Sequence, residues 1–153
     1  MMNNLANAVL RLTILLATAI ASRGADASEE GWSPASGSAG LTIYNRPRKD
    51  SSMKEFKAIG VIEAEPIVVR RVLEDTAEFP RFMPYVTEAK VNEGRWLLEP
   101  AGPRQTRATY CIFCDAGGSI PAMVLNSANK TAIPKLFDAI RKQAKLEKYS
   151  RSE

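Results

Sequence analysis

None of the 153 residues is histidine. That absence removes Ser-His-Asp and Cys-His nucleophile activation, His-ligated zinc, and the usual proton-transfer side chain near neutral pH. Two cysteines remain as candidate nucleophiles or redox centres, Cys111 and Cys114 in the order Cys-Ile-Phe-Cys. A reactive C-x-x-C wants a helix start after its first thiol. Thr106 to Asp115 is instead rich in β-branched and aromatic types and reads as a strand, where positions three apart project to opposite faces. The pair is read as two small hydrophobes rather than a disulfide or a redox couple. Carboxylates gather at Glu63 and Glu65, by a strand end, and at Glu74, Asp75 and Glu78, around a helix. Each set reads as solvated or capping groups, and no acid is spaced against a base for proton transfer. The sequence therefore reads as noncatalytic, with no metal and no cofactor. The net charge of +4, from 21 Lys and Arg against 17 Asp and Glu, is small and dispersed, so nucleic acid is not expected as a partner. Lys135, Arg141, Lys142, Lys145, Lys148 and Arg151 do cluster near the C-terminus. Alignment with a helix dipole and a solvated outer face account for them, and transient contact with an anionic membrane surface is the alternative.

The elements that must carry these residues begin after an address. Arg11 precedes an apolar run, Leu12 to Ala21, which is followed by small residues, the tripartite pattern of a secretory leader with cleavage expected after Ala27. The run is about half of the roughly 20 residues needed to cross a bilayer core. Residues 1–27 are thus read as a signal peptide and the product as periplasmic or secreted. What remains buries roughly two-thirds of its unfolded surface, enough for one core and not for a second domain. Residues 28–40, with Ser33 to Gly40 rich in Ser, Gly and Ala, read as a loose lead-in that Trp32 docks onto the body.

Residues 41–150 read as the domain. Leu41 to Arg46 and Met53 to Glu63 alternate apolar and polar residues and form a hairpin, with Gly60 marking a bend or bulge. Pro66 opens a helix whose stripe is Ile67, Val68, Arg71, Val72 and Asp75. A short turn follows over Ala77 to Met83, then strand-like Tyr85 to Val91. Trp96 to Glu99 and Thr106 to Asp115 form a second hairpin around a loop from Pro100 to Arg104. Gly117-Gly118 ends it, Ser119 caps, and Pro121 starts a long amphipathic helix reaching about Tyr149. Its expected face is Ile120, Val124, Ala128, Ala132, Leu136 and Ala139 or Ile140, with Pro134 kinking or dividing it.

Several segments go beyond pattern. Lys54-Glu55-Phe56-Lys57-Ala58, the run from Phe79 to Val86, Thr106-Arg107-Ala108-Thr109-Tyr110, Gly117-Gly118-Ser119-Ile120-Pro121 and Ala132-Ile133-Pro134 resemble the START lipid-transfer domains and their bacterial relatives in the helix-grip superfamily. The resemblance covers Trp32 to Tyr149. It implies an α+β helix-grip fold: a curved antiparallel sheet gripping a long C-terminal helix, with an apolar tunnel between them for one hydrophobic molecule such as a sterol, phospholipid or polyketide. It also implies the lining of that tunnel, namely Ile120, Val124, Leu125, Ala128, Ile133, Leu136 and Phe137 from the helix and Tyr110, Ile112 and Phe113 from the strand; a plain core role is the alternative for the same residues. The sequence departs from the family in one respect. Where the family has several further strands, only Asn92 to Arg95 separate two segments here, which reads as an internal deletion near residues 90–95 and an incomplete sheet. Noncatalytic binding or transport of a lipid or sterol-like ligand is the function implied. The alternative is an interaction module, or a decayed fragment with no ligand of its own, self-associating through exposed apolar surface.

Overall fold

Alternating apolar and polar residues build the central strands of this chain into one sheet. The computed structural model describes residues 12–16, 31–38, 40–83, 91–114 and 121–151. Its strands are β1 (Leu12–Leu16), β2 (Ser33–Ser38), β3 (Leu41–Arg48), β4 (Ser51–Ile62), β5 (Val91–Gly102) and β6 (Gln105–Cys114), and its helices are α1 (Pro66–Glu74), α2 (Phe79–Phe82), α3 (Ala122–Gln143) and α4 (Glu147–Ser150). The spatial order is β1-β5-β6-β4-β3-β2. The last five are antiparallel neighbours, and β1 adds to the β5 edge in parallel. This is the α+β arrangement of antiparallel sheet and long C-terminal helix expected from the sequence. Among the described residues no helix is long and apolar enough to cross a membrane.

The cross-strand register divides the sheet into two faces. Leu41, Ile43, Phe56, Ala58, Gly60, Ile62, Trp96, Leu98, Ala108, Tyr110 and Ile112 share the inner one, and all but Gly60 are core side chains at most 8% exposed. α3 lies over it, nearest β4. Asn126 Oδ1 accepts a hydrogen bond from the Lys54 amide at 3.0 Å. Farther along, Arg141 donates from Nε and Nη2 to the Val61 carbonyl at 3.1 and 3.0 Å. Small residues at Ala58, Gly60 and Ala108 let the helix come close.

Several elements differ from the sequence expectation. The Ser/Gly-rich lead-in is β2, an edge strand paired to β3 with a bulge between Pro34 and Ser36. Polar side chains suffice there because Ala35 packs on the core while the other five residues of the strand are exposed. Trp32 docks as expected: it is 5% exposed, with the Arg46 guanidinium 4.4 Å and the Lys57 ammonium 4.6 Å from its ring centroid. Gly60 marks neither bend nor bulge, since β4 pairs through it without a register shift. β5 continues through Pro100 to Gly102, so the second hairpin closes on Pro103 and Arg104 alone, with Arg104 at φ 55. α1 buries Val68, Val69, Val72 and Leu73 and leaves Ile67 exposed. Its stripe is rotated from the expected one because Arg71 is drawn aside to the C-terminal carbonyls. α3 runs unbroken past Pro134 but ends at Gln143, with Pro121 rather than Ser119 at its N-cap. Leu146 is extended before the chain turns again into α4. Gly117-Gly118, Ser119, Ile120, most of Tyr85 to Val91 and the leader outside Leu12–Leu16 lie outside the described residues.

Candidate ligand-binding site

The face between α3 and the sheet is where a hydrophobic guest would have to lie. Its centre is aromatic. Trp96 and Tyr110, opposite each other on β5 and β6, stack with ring centroids 4.4 Å apart and planes at 24°. The Phe137 ring closes on Trp96 from α3 at 5.4 Å and 43°. A Cβ on Gly60 would stand 2.9 Å from Phe137 Cε1 and 3.0 Å from Leu41 Cδ1, so the glycine is there to admit the ring. Around this centre Ile133, Phe137 and Ile140 are buried, and Leu125 and Leu136 pack at its margin.

The expected lining residues therefore separate. Tyr110, Ile112, Ile133 and Phe137 come together in the core, with Leu125 and Leu136 beside them. Val124 is 53% exposed, and Ala128 is exposed as well. At about 100° per residue, Val124 stands roughly 220° and Ala128 roughly 180° around the helix from Phe137. A row stepped by four residues drifts off the buried stripe within a few turns, which is why the expected face was rotated. Phe113 follows Ile112 by one position and so faces the other side of the sheet, where the Arg48 guanidinium lies 4.2 Å from its ring centroid. Ile120 lies outside the described residues. Trp96, which the sequence reading placed only in a strand, belongs to this site. Its even-numbered spacing from Leu98, combined with the hairpin register, is the signal that would have found it.

The outer face is polar and aromatic in alternation. Arg46 Nε meets Glu55 Oε2 at 2.7 Å while its guanidinium covers Trp32. Cys111 is a buried free thiol on this face, and burial pushes its pKa up against the opposing hydrogen bond from Arg95.

At the far end of α3 lies a different concavity, a cleft of about 440 Å³ lined by Glu63, Glu65, Val68, Arg104, Lys145 and Ser150 among others. The Gln105 amide donates to both Glu63 carboxylate oxygens at 3.1 and 3.0 Å. Mixed charge of this kind does not suit an apolar guest. Nearby, α4 is clamped to α1. Arg71 Nη1 donates to the Tyr149 and Arg151 carbonyls at 3.0 and 2.9 Å, and Tyr149 donates its hydroxyl to Asp75 Oδ2 at 2.9 Å. That hydroxyl, with Lys148, holds the Asp75 carboxyl below its ordinary 3.8, while burial raises the Tyr149 phenol above 10.0.

Sheet, overlying helix and short α1 connection together match solved structures over most of the chain. A STAR-related lipid transfer protein from Xanthomonas axonopodis, fragment 25–204, superposes with a TM-score of 0.65 at 18% identity, covering 76% of this chain and 100% of that one. The fold is that of a StAR-related lipid-transfer domain. Human StAR-related lipid transfer protein 5 gives a TM-score of 0.65 at 11% identity over 80% of this chain and 89% of its own. Human STARD10 gives 0.60 at 15% over 77% and 76%. No family model matches the sequence, and no curated protein matches it significantly. Likeness at these identities is a likeness of START-like architecture.

Proposed function

We propose that this chain is a noncatalytic binder of a hydrophobic molecule, lipid or sterol-like, held between α3 and the inner face of the sheet. The observation that carries this reading is the match, over 76% of this chain, to the whole of a STAR-related lipid transfer protein, whose name states the cargo class. The physics asks little: each methylene withdrawn from water gains roughly 0.8 kcal/mol, so a chain of a dozen carbons binds without a charged anchor. Trp96, Tyr110 and Phe137 already fill the C-terminal half of the α3 interface. The guest is therefore assigned to the N-terminal half, where Leu125 is only partly covered and Ile112 forms the floor. We further propose that residues 1–27 are an export leader, which would make the mature chain periplasmic or secreted, and that an internal deletion near residues 90–95 relates this sheet to longer ones. Three quarters of this chain spans the whole of a neighbour numbered 25–204, in keeping with that deletion.

A second reading has its own support. The ring cluster at the centre of the α3 interface leaves an interaction module, or a fragment that has lost its guest, as the competing assignment. Native mass spectrometry of the protein expressed with export separates the two. The carrier reading expects a mass beginning at Ser28 plus an extractable lipid of defined mass. A chain that repeatedly comes back empty from lipid-rich expression supports the interaction module and ends the carrier assignment.

A further inference from the structure

β5 is covered on its outer side by the short strand β1. It is twelve residues long, and among the described residues its outer side is paired at Gly94–Leu98, in parallel, by Leu12–Leu16. A strand seated there shows that this edge accepts strand addition, and the segment that occupies the place lies within the residues proposed as a removable leader. Without it, β5 presents a row of N–H and C=O groups of the kind that templates pairing with another chain.

The sequence of β5 complements itself. An antiparallel pair of copies related by a two-fold axis at Leu97 sets Leu97 against its own copy, Trp96 against Leu98, and Arg95 against Glu99, the last two pairs each occurring twice. Partners share parity, so each side chain keeps its face: Trp96 and Leu98 stay on the inner face, and Arg95 and Glu99 stay on the outer one, where opposite charges across a strand pair stabilise it. Pro100, which cannot donate to a ladder, falls opposite Gly94 and closes the pairing at both ends. Moving the axis to Trp96 would set Glu93 against Glu99, and moving it to Arg95 would set that arginine against itself. We propose that release of β1 lets two copies of this chain join through β5 about an axis at Leu97, continuing one sheet across the pair.

The test uses the full chain and sedimentation equilibrium, and it does not depend on ligand binding. The parent chain, with β1 in place, is expected to be monomeric. Ile14→Pro places a rigid residue without an N–H at the centre of β1 and should free β5, giving a concentration-dependent dimer. In that background Arg95→Glu or Glu99→Arg alone should weaken the dimer at least tenfold, while the double reversal restores it. Mixing the two single variants should yield heterodimers, because each then carries the charges that the other lacks. Leu97→Lys sets two ammonium groups face to face on the axis and gives an independent loss, and far-UV circular dichroism separates a lost interface from a lost fold. An Ile14→Pro chain that stays monomeric at several hundred micromolar, or a dimer indifferent to these reversals, overturns the proposal.

Discussion

Gly60 shows how much one missing Cβ decides. The Phe137 ring is fully buried over a position where a methyl group would stand 2.9 Å from it, and it also packs against Trp96, with ring centroids 5.4 Å apart. Gly60→Ala is expected to cost about 1–3 kcal/mol, the usual penalty for overfilling a packed core, read as a lower urea midpoint with unchanged slope. A substitution costing under about 0.5 kcal/mol would mean that the ring has room to shift. The same residues mark what a sequence could and could not tell. That Gly60 is special was legible, whereas the reason was not, because a bulge and a close approach leave the same gap in a strand pattern. Tyr110 and Ile112 share the inner face and Phe113 does not, a division that strand alternation dictates and that the lining implied by the resemblance, which took all three, had passed over. Val124 and Ala128 were misplaced because the helix repeat of 3.6 accumulates error over a long run.

Among the elements, α4 depends most on protonation state. It is a single turn, too short to hold itself as a helix, and it is kept by Arg71 and by the bond from Tyr149 to Asp75. Asp75 titrates lower when folded than when unfolded. Its stabilising effect is therefore full above the ordinary value near 3.8 and lost as pH falls through the folded one. Tyr149 titrates higher when folded, so its share is full below about 10 and lost as pH rises through the folded value. Amide exchange over residues 147–150 is expected to quicken below about pH 4 and above about pH 10, relative to α3. Asp75→Asn should abolish the acid limb and leave the alkaline one. An acid limb that survives this substitution would place the sensitivity elsewhere. The elements themselves were largely visible in the sequence, the strand–helix order above all. The break at Ala144 was not, because it is set by what Tyr149 reaches on α1, a contact more than seventy positions away in the chain. β2 was hidden for the opposite reason: an edge strand needs only backbone partners, and its side chains carry no pattern.

At the scale of the molecule, one cluster of buried side chains joins β3, β4, β5, β6, α1, α3 and α4, so the chain should unfold as one cooperative unit. The two tryptophans make this measurable from both sides of the sheet, with Trp96 inside and Trp32 outside under Arg46. Single Trp→Phe variants, each leaving one reporter, are expected to give coincident denaturation midpoints for fluorescence and far-UV circular dichroism. Separate midpoints would divide the outer layer from the core. The long helix and the strands were legible because hydrophobic periodicity is a property of segments, whereas the fold class was implied by the resemblance of particular segments to START domains. How full the space beneath the helix is was not legible, since that depends on three rings from β5, β6 and α3 meeting at one point.

The first strand and its neighbour are made at very different times. Leu12 pairs with Gly94, so during synthesis at 5–20 residues per second the N-terminal segment waits on the order of 4–16 s before its partner leaves the ribosome. For that interval its apolar residues are at the disposal of whatever meets them first, and a targeting factor would compete with the rest of the fold simply by arriving early.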